Sequence, residues 1–321
     1  MSELMKNIDA RAKLAGTNKL ELLLFSLGVD SRTGRRETFG INVFKVREVM
    51  RTPPITAAPD MPDAVEGMVS LRGALVPVVD LGKYAHVATE QPREIMIVTE
   101  YNGRTQGFLV EAVDTILRLD WAQMKVPPEM MTARMGGLVT AITELQDGRL
   151  VMLLDVEKVL SETTHFDDDL LYRDIKPIGR SDALIVFADD SSVARKQVQA
   201  TLERMGVKYL AAINGKRAWE ELQKLAGYAE ATGRPVREVV SLVLTDIEMP
   251  ETDGYMLTKQ IKSDARFAGI PVLMHSSLSG MSNQQLGKSV GVDEYVSKFE
   301  PQQLAASITR LLQQPSVKAA A

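Results

Sequence analysis

The sequence predicts two domains of different fold class in a chain of 321 residues. An all-β domain comes first, followed by an α/β domain with a doubly wound sheet of five parallel strands. Three observations lead to this reading. Over residues 20–154 the apolar residues fall in short runs broken by turn residues. From residue 183 onward, strand-like runs alternate with helical ones. Between them lies a polar stretch, 161–181, that contains Asp167-Asp168-Asp169. The expected organisation is an N-terminal helix or tail over 1–17, a first domain over 18–162, a linker over 163–180, a second domain over 181–315 and a tail over 316–321.

In the first half, residues 20–27, 38–43, 74–80, 94–99, 105–110, 138–144 and 149–154 read as strands. Asp30-Ser31, Asn102-Gly103 and Asp147-Gly148 supply turns. Asn102-Gly103 between two such runs is a strong hairpin signal. Helices are expected at 6–14 and 156–160. Many short strands with few helices indicate barrels or a sandwich. His165 in the linker matches no zinc spacing and reads as solvated.

In the second half, strands at 183–188, 208–212, 241–245, 271–275 and 294–297 are each followed by a helix, at 192–205, 216–226, 254–263, 283–290 and 301–312. The connection at 227–240 carries Gly227, Gly233 and Pro235 and reads as an exposed insertion.

Composition narrows the function classes. Residues 1–180 carry 22 Lys/Arg against 26 Asp/Glu, and residues 181–321 carry 16 of each. Neither half has the basic excess of a nucleic-acid footprint. There is no cysteine, so disulfides and thiolate metal sites are excluded. The N-terminus lacks a signal-peptide pattern, and no apolar run approaches the roughly 20 residues of a membrane span. A cytoplasmic protein without membrane insertion is the expectation.

Chemistry concentrates at the strand ends of the second domain. Asp189-Asp190 follows its first strand and Asp246 its third, and these strands lie side by side in a doubly wound sheet. Three converging carboxylates repel unless a cation joins them, and Mg²⁺ suits an all-oxygen site. Ser276 follows the fourth strand and offers a hydroxyl; Lys298 follows the fifth and offers an ammonium. Together these groups suit phosphoryl transfer onto an aspartate.

These residues, with Thr245-Asp246, Met249-Pro250, Asp253-Gly254 and Tyr295-Val296-Ser297-Lys298, resemble the response-regulator receiver family over 183–312. The resemblance implies a flavodoxin-like fold. It implies Asp246 as phosphoacceptor and Asp189, Asp190, Asp246 and the Glu248 backbone carbonyl as Mg²⁺ ligands. It further implies Ser276 and Tyr295 as a switch pair, and Lys298 as the contact to the phosphoryl group. Phe299 stands where receivers usually carry proline. The side chain of Glu248 adds charge at the pocket mouth and is expected to tune dephosphorylation.

The first half has no serine nucleophile elbow, His pair or P-loop. Its segments 39–49, Gly67-Met68-Val69-Ser70-Leu71-Arg72-Gly73, Val76-Pro77-Val78-Val79-Asp80-Leu81, Gly136-Gly137-Leu138 and 147–159 resemble the CheW family over 18–162. That resemblance implies two interleaved SH3-like β-barrels binding chemoreceptor tips and the histidine kinase CheA. Glu48 and Arg72 are candidates for an organising ion pair, and Val43, Val46 and Val49 for an apolar contact stripe.

The combination resembles the CheV family of chemotaxis coupling proteins. It implies a non-enzymatic adaptor at receptor arrays, on the inner face of the membrane, with coupling modulated by phosphorylation of Asp246. The alternatives are a phosphate sink for the kinase and a receiver-type regulator with another protein-interaction output.

Overall fold

In the computed structural model the described residues are 19–57, 59–101, 104–163, 172–179, 182–277 and 287–313. They form two compact units, Leu20–His165 and a second that holds Phe166–Ala321. The helix expected at 6–14, the Asn102-Gly103 turn, His165 and half of the 163–180 linker lie outside the described residues.

The first unit contains ten strands: β1 (Lys19–Asp30), β2 (Arg35–Asn42), β3 (Val46–Arg51), β4 (Val65–Leu71), β5 (Ala74–Asp80), β6 (Ile95–Tyr101), β7 (Arg104–Val110), β8 (Ala112–Asp120), β9 (Val139–Glu144) and β10 (Leu150–Leu154). Three short helices accompany them: α1 (Leu81–Tyr84), α2 (Glu129–Arg134) and α3 (Val156–Thr163). The strands form two five-stranded sheets, ordered β8-β1-β2-β10-β9 and β3-β6-β7-β5-β4. The chain builds the start of the first sheet, then the whole second sheet, then returns to finish the first.

Each sheet closes on itself in the same way. Beyond β3, Thr56 exchanges both backbone hydrogen bonds with Met68 on β4, at 2.9 Å each. Beyond β8, Lys125 does the same with Ile142 on β9, at 2.8 Å each. The continuation of one edge strand thus covers the opposite edge, which removes open ladders. The two-barrel expectation therefore holds. Strands β3, β4 and β8 were not expected. All three are edge strands, and their half-exposed residues weaken the apolar alternation from which strands are read.

Packing explains the continuous apolar run in β1. Leu20, Leu22 and Leu24 point into the first barrel with Trp121, Val151 and Leu153. Leu23, Phe25 and Leu27 point the other way, into a core shared with Val79, Ile97 and Phe108 of the second sheet and Val156 and Val159 of α3. A strand buried on both faces needs no polar alternation. Arg93 crosses this junction. It pairs with buried Asp80 at 2.9 Å and donates to the carbonyls of Leu27 and Val87. A Cβ on Gly82 would lie 2.0 Å from its guanidinium, so a larger residue there would have to displace the Arg93 head from these partners.

In the second unit, β11 (Leu184–Ala188), α4 (Ser192–Met205), β12 (Lys208–Ala212), α5 (Gly215–Ala231), β13 (Leu242–Thr245), α6 (Gly254–Ser263), β14 (Val272–Ser276), β15 (Glu294–Ser297) and α7 (Pro301–Gln313) follow in order. The sheet order is β12-β11-β13-β14-β15, with every pairing parallel. Alternate strand residues feed two cores, one under α4 and α7 and one under α5 and α6. Of the helix expected at 283–290, residues 287–290 are helical and the rest lie outside the described set. The helix starts are capped by Ser191, Asn214 and Asp253.

The segment 227–240 corrects the expectation of an exposed insertion. Helix α5 runs on to Ala231, Gly233 turns the chain at φ 64°, and a 3-10 turn spans Val236–Glu238. Ala229, Val236 and Val240 are buried against Leu222, Ile261 and Phe267. The polar and glycine residues that suggested exposure are the outward half of an element whose apolar half is core.

Barrel closure yields a stability test. Gly67 has φ 135°, and a Cβ there would lie 2.2 Å from the Thr56 carbonyl oxygen. Gly67→Ala should destabilise the first domain by about 3 kcal/mol through strain and overlap at the closing bridge. Urea unfolding should show an earlier first-domain transition and an unchanged second one.

Candidate functional site

The parallel sheet brings the acidic residues together at the carboxyl ends of adjacent strands. Asp189 leaves β11 and Asp246 leaves β13, whose last residues Ala188 and Thr245 are register partners. Ligand oxygens of Asp189, Asp190 and Asp246 lie within 4.8 Å of one another. Asp189 is fully buried and Asp246 nearly so, whereas Asp190 is half-buried. Lys298, buried after β15, puts its Nζ 3.0 Å from an oxygen of Asp189 and 3.0 Å from one of Asp246. Burying charge is tolerable when it is paired and hydrogen-bonded, and this ammonium serves two carboxylates at once.

Local backbone geometry fixes the carboxylates. The Ser191 amide donates to Asp189 Oδ1 at 2.9 Å, and the Ile247 amide donates to Asp246 Oδ1 at 2.7 Å. Gly254 opens α6 against this loop, where a Cβ would lie 1.9 Å from the Asp246 carbonyl oxygen. Asp253 caps α6 by accepting from the Met256 amide at 2.7 Å, and burial pushes its carboxyl up to about 6. Glu248 is buried in the same loop. All three acids and Lys298 are therefore where the sequence expected them.

Ser276 ends β14 and is buried. Tyr295 on β15 sits one diagonal step away, since Met274 opposes Tyr295 and Ser276 opposes Ser297. The two side chains are hydrogen-bonded to each other, and burial raises the Tyr295 phenol above its ordinary pKa. Phe299 adopts φ 62°, a left-handed conformation that proline, fixed near −65°, cannot take. The loop after Lys298 thus follows a different course from one built on proline.

Arg195 escaped the sequence reading. From the first turn of α4 its Nη1 donates to the carbonyl oxygens of both Asp189 and Asp190, at 2.8 Å each. It pins the backbone of the acidic pair. Its only signal in the sequence is an arginine five residues after Asp190.

In the first unit, Arg72 and Glu48 do pair, at 2.9 Å, although β3 and β4 are opposite edges of their sheet. Barrel closure brings them together. Arg72 and Gly73 form the two-residue turn between Leu71 and Ala74, at φ 50° and 84°. Positive φ at both positions is the type I′ pattern, which favours Asn, Asp or Gly over arginine. Arg72 is 71% exposed while held in this strained conformation.

The apolar stripe is corrected. Val43 is buried in the core and begins a 3-10 turn. Val46 and Val49 lie on β3, whose exposure alternates with period two. A three-residue spacing puts them on opposite faces: Val46 packs inward, and Val49 faces out with Arg47 and Arg51.

Comparison with known proteins accords with both geometries. Residues 23–164 match the CheW-like domain family and residues 185–309 the response regulator receiver domain family. The chemotaxis protein CheV1 of Helicobacter pylori is 27% identical across 98% of this chain and 99% of its own length. The chemotaxis protein CheW of Klebsiella aerogenes is 31% identical over 49% of this chain and 92% of its own. The chemotaxis protein CheY1 of H. pylori is 32% identical over 40% of this chain and 95% of its own. Among the described residues no helix is long and apolar enough to cross a membrane. Its two domains in this order, and its similarity along nearly the full length of a CheV protein, mean that the chain belongs to the CheV family, a CheW-like domain joined to a response-regulator receiver.

Proposed function

We propose that the protein is a chemotaxis adaptor. Its first domain couples chemoreceptor tips to the histidine kinase CheA, and phosphorylation of Asp246 in the second modulates that coupling. The observation that carries the proposal is Asp246 at the end of β13, within 4.8 Å of two further carboxylates and salt-bridged to Lys298, in a chain that also carries a CheW-like domain.

The donor set fits a divalent cation: three carboxylates offer only oxygen ligands within a small sphere. Asp189, Asp190, Asp246 and the Glu248 backbone carbonyl would hold Mg²⁺. When bound, the cation offsets the negative charge shared between Asp246 and an incoming phosphoryl group. The residues do the rest. An Asp246 oxygen attacks phosphorus in line, the bond from phosphorus to the donor breaks, and the donor keeps the electron pair. Lys298 already touches Asp246 and needs little motion to meet a phosphoryl oxygen. The Ser276 hydroxyl donates to another phosphoryl oxygen. In doing so it reorganises its bond with Tyr295, which offers a route to the β15 and α7 face. A differential free energy of about 1–3 kcal/mol between two arrangements of that face changes partner affinity several-fold or more.

On the coupling side, exposed Arg72 and its partner Glu48 form the candidate contact surface, while Val49 faces out on the other side of β3. An exposed ion pair adds little to stability, so strain at Arg72 is better explained by a contact than by folding.

Asp246→Asn should abolish acid-labile phosphate uptake from phosphorylated CheA or acetyl phosphate, and wild type should lose uptake when Mg²⁺ is chelated. Labelling of the variant to the wild-type extent would refute the assignment. Arg72→Gly should keep the thermal midpoint, because glycine relaxes the turn, while weakening capture of the kinase or receptor tips about tenfold, or ~1.4 kcal/mol. Unchanged capture removes Arg72 from the interface. In reconstituted receptor–kinase complexes, Ser276→Ala should blunt the change in kinase activity caused by phosphorylation without preventing uptake at Asp246. If kinase activity is the same at every phosphorylation level of wild type, the receiver acts as a phosphate sink instead.

A further inference from the structure

The loop from Asp246 to Gly254 is held at both ends, by β13 and by the start of α6. Its middle is held by a contact that neither domain assignment explains. Glu251 sits at φ 66°, a left-handed conformation that a glutamate rarely adopts. The Thr252 amide donates to the Pro250 carbonyl oxygen at 2.8 Å, closing a three-residue turn around Glu251 of the strained kind. Both oxygens of the Glu251 carboxylate are engaged. Oε2 accepts from Asn214 Nδ2 at 2.8 Å, and Oε1 lies 3.0 Å from Lys216 Nζ.

Asn214 is fully buried and is the residue that caps α5, its Oδ1 accepting from the Arg217 amide at 2.8 Å. The backbones also meet: the Gly215 amide donates to the Thr252 carbonyl oxygen at 3.3 Å, and a Cβ on Gly215 would lie 2.6 Å from that oxygen. A carboxylate at a helix N-terminus is further favoured by the helix dipole. Glu251 therefore ties the middle of the Asp246 loop to the start of α5, and the backbone stays strained because the side chain is held from both sides.

Only two residues separate Glu251 from Glu248. Between them, Met249 is fully buried among α5 and α6 residues, and Pro250 is buried as well. With so little slack, the direction of the Glu248 carbonyl depends on where Glu251 is held. We infer that Glu251 is a positioning residue: by clamping the loop to Asn214 and Lys216 it aims the Glu248 carbonyl and the Asp246 carboxylate into the cation site. The inference rests on the reading of Asp246 as a phosphoacceptor with a bound divalent cation.

Mg²⁺ itself is the probe, added to the full-length protein and followed by the rise of the second domain's thermal midpoint with concentration. Glu251→Gly relieves the positive φ and removes the clamp. The variant should keep a metal-free midpoint at or near wild type while its apparent Mg²⁺ affinity falls about tenfold, as when an outer partner of a metal ligand is lost. Glu251→Gln keeps an acceptor for Asn214 and loses the charge facing Lys216, so it should fall between the two. A role confined to stability predicts the reverse, a shifted metal-free midpoint with wild-type affinity, and that result overturns the inference. Should Glu251→Gly fail to fold, Glu251→Gln and Lys216→Met carry the same test, and unchanged affinity in both overturns it. A wild-type chain that shows no Mg²⁺ response overturns the underlying reading together with the inference. A normal wild-type response with equal affinity in the variants overturns the inference alone.

Discussion

The second domain is organised around one electrostatic problem: three carboxylates share a pocket with room for few charges. Lys298 is the structure's answer. Its ammonium lies 3.0 Å from both Asp189 and Asp246, and all three groups are buried. That position demands much of the fold. The fifth strand must end level with the fourth, so that the Lys298 amide can donate to the Ser276 carbonyl at 3.1 Å. The first and third strands must be neighbours in register. Gly254 must admit the Asp246 carbonyl where any side chain would collide. Arg195 must hold the carbonyls behind the acidic pair. Under the proposed function the buried Lys298 cation is also poised, because an incoming phosphoryl group would add negative charge that the same ammonium can answer.

The first domain solves a different problem, that of a β-structure with exposed edges. Two small sheets cannot each bury enough apolar surface alone. They share a core, built from one face of β1, the inner face of the second sheet, and α3. Each also closes its own edge through a single pair of backbone hydrogen bonds beyond an edge strand. Closure has a functional consequence. It carries Glu48, on one edge of the second sheet, to Arg72, at the hairpin of the other edge, so the ion pair is a product of the closed barrel. The same rule, that structure holds a residue in an unfavourable backbone only when its surroundings insist, applies to Arg72 in a type I′ turn and to Glu251 beside α5. Both lie within the segments to which the two halves of the function are assigned.

What the sequence determined by itself was whatever is written locally. Five strand–helix alternations fix a parallel doubly wound sheet, and the acids at the ends of its first and third strands follow from that topology. The helix starts near 192 and 254 and the domain order are likewise local. The tertiary structure decided the rest. Edge strands β3, β4 and β8 carry a faint pattern because one face and one edge meet solvent, so only pairing identifies them. Val43, Val46 and Val49 form a stripe at helical spacing, and the strand's period of two separates them. The segment 227–240 looked exposed because its polar half is visible in composition, while burial of Val236 and Val240 depends on a distant partner, Phe267. Arg195, Asn214 and Glu251 act through backbone carbonyls and caps across gaps of up to 37 residues. No residue type or spacing announces such contacts, because they exist only once the parallel sheet has set the loops side by side.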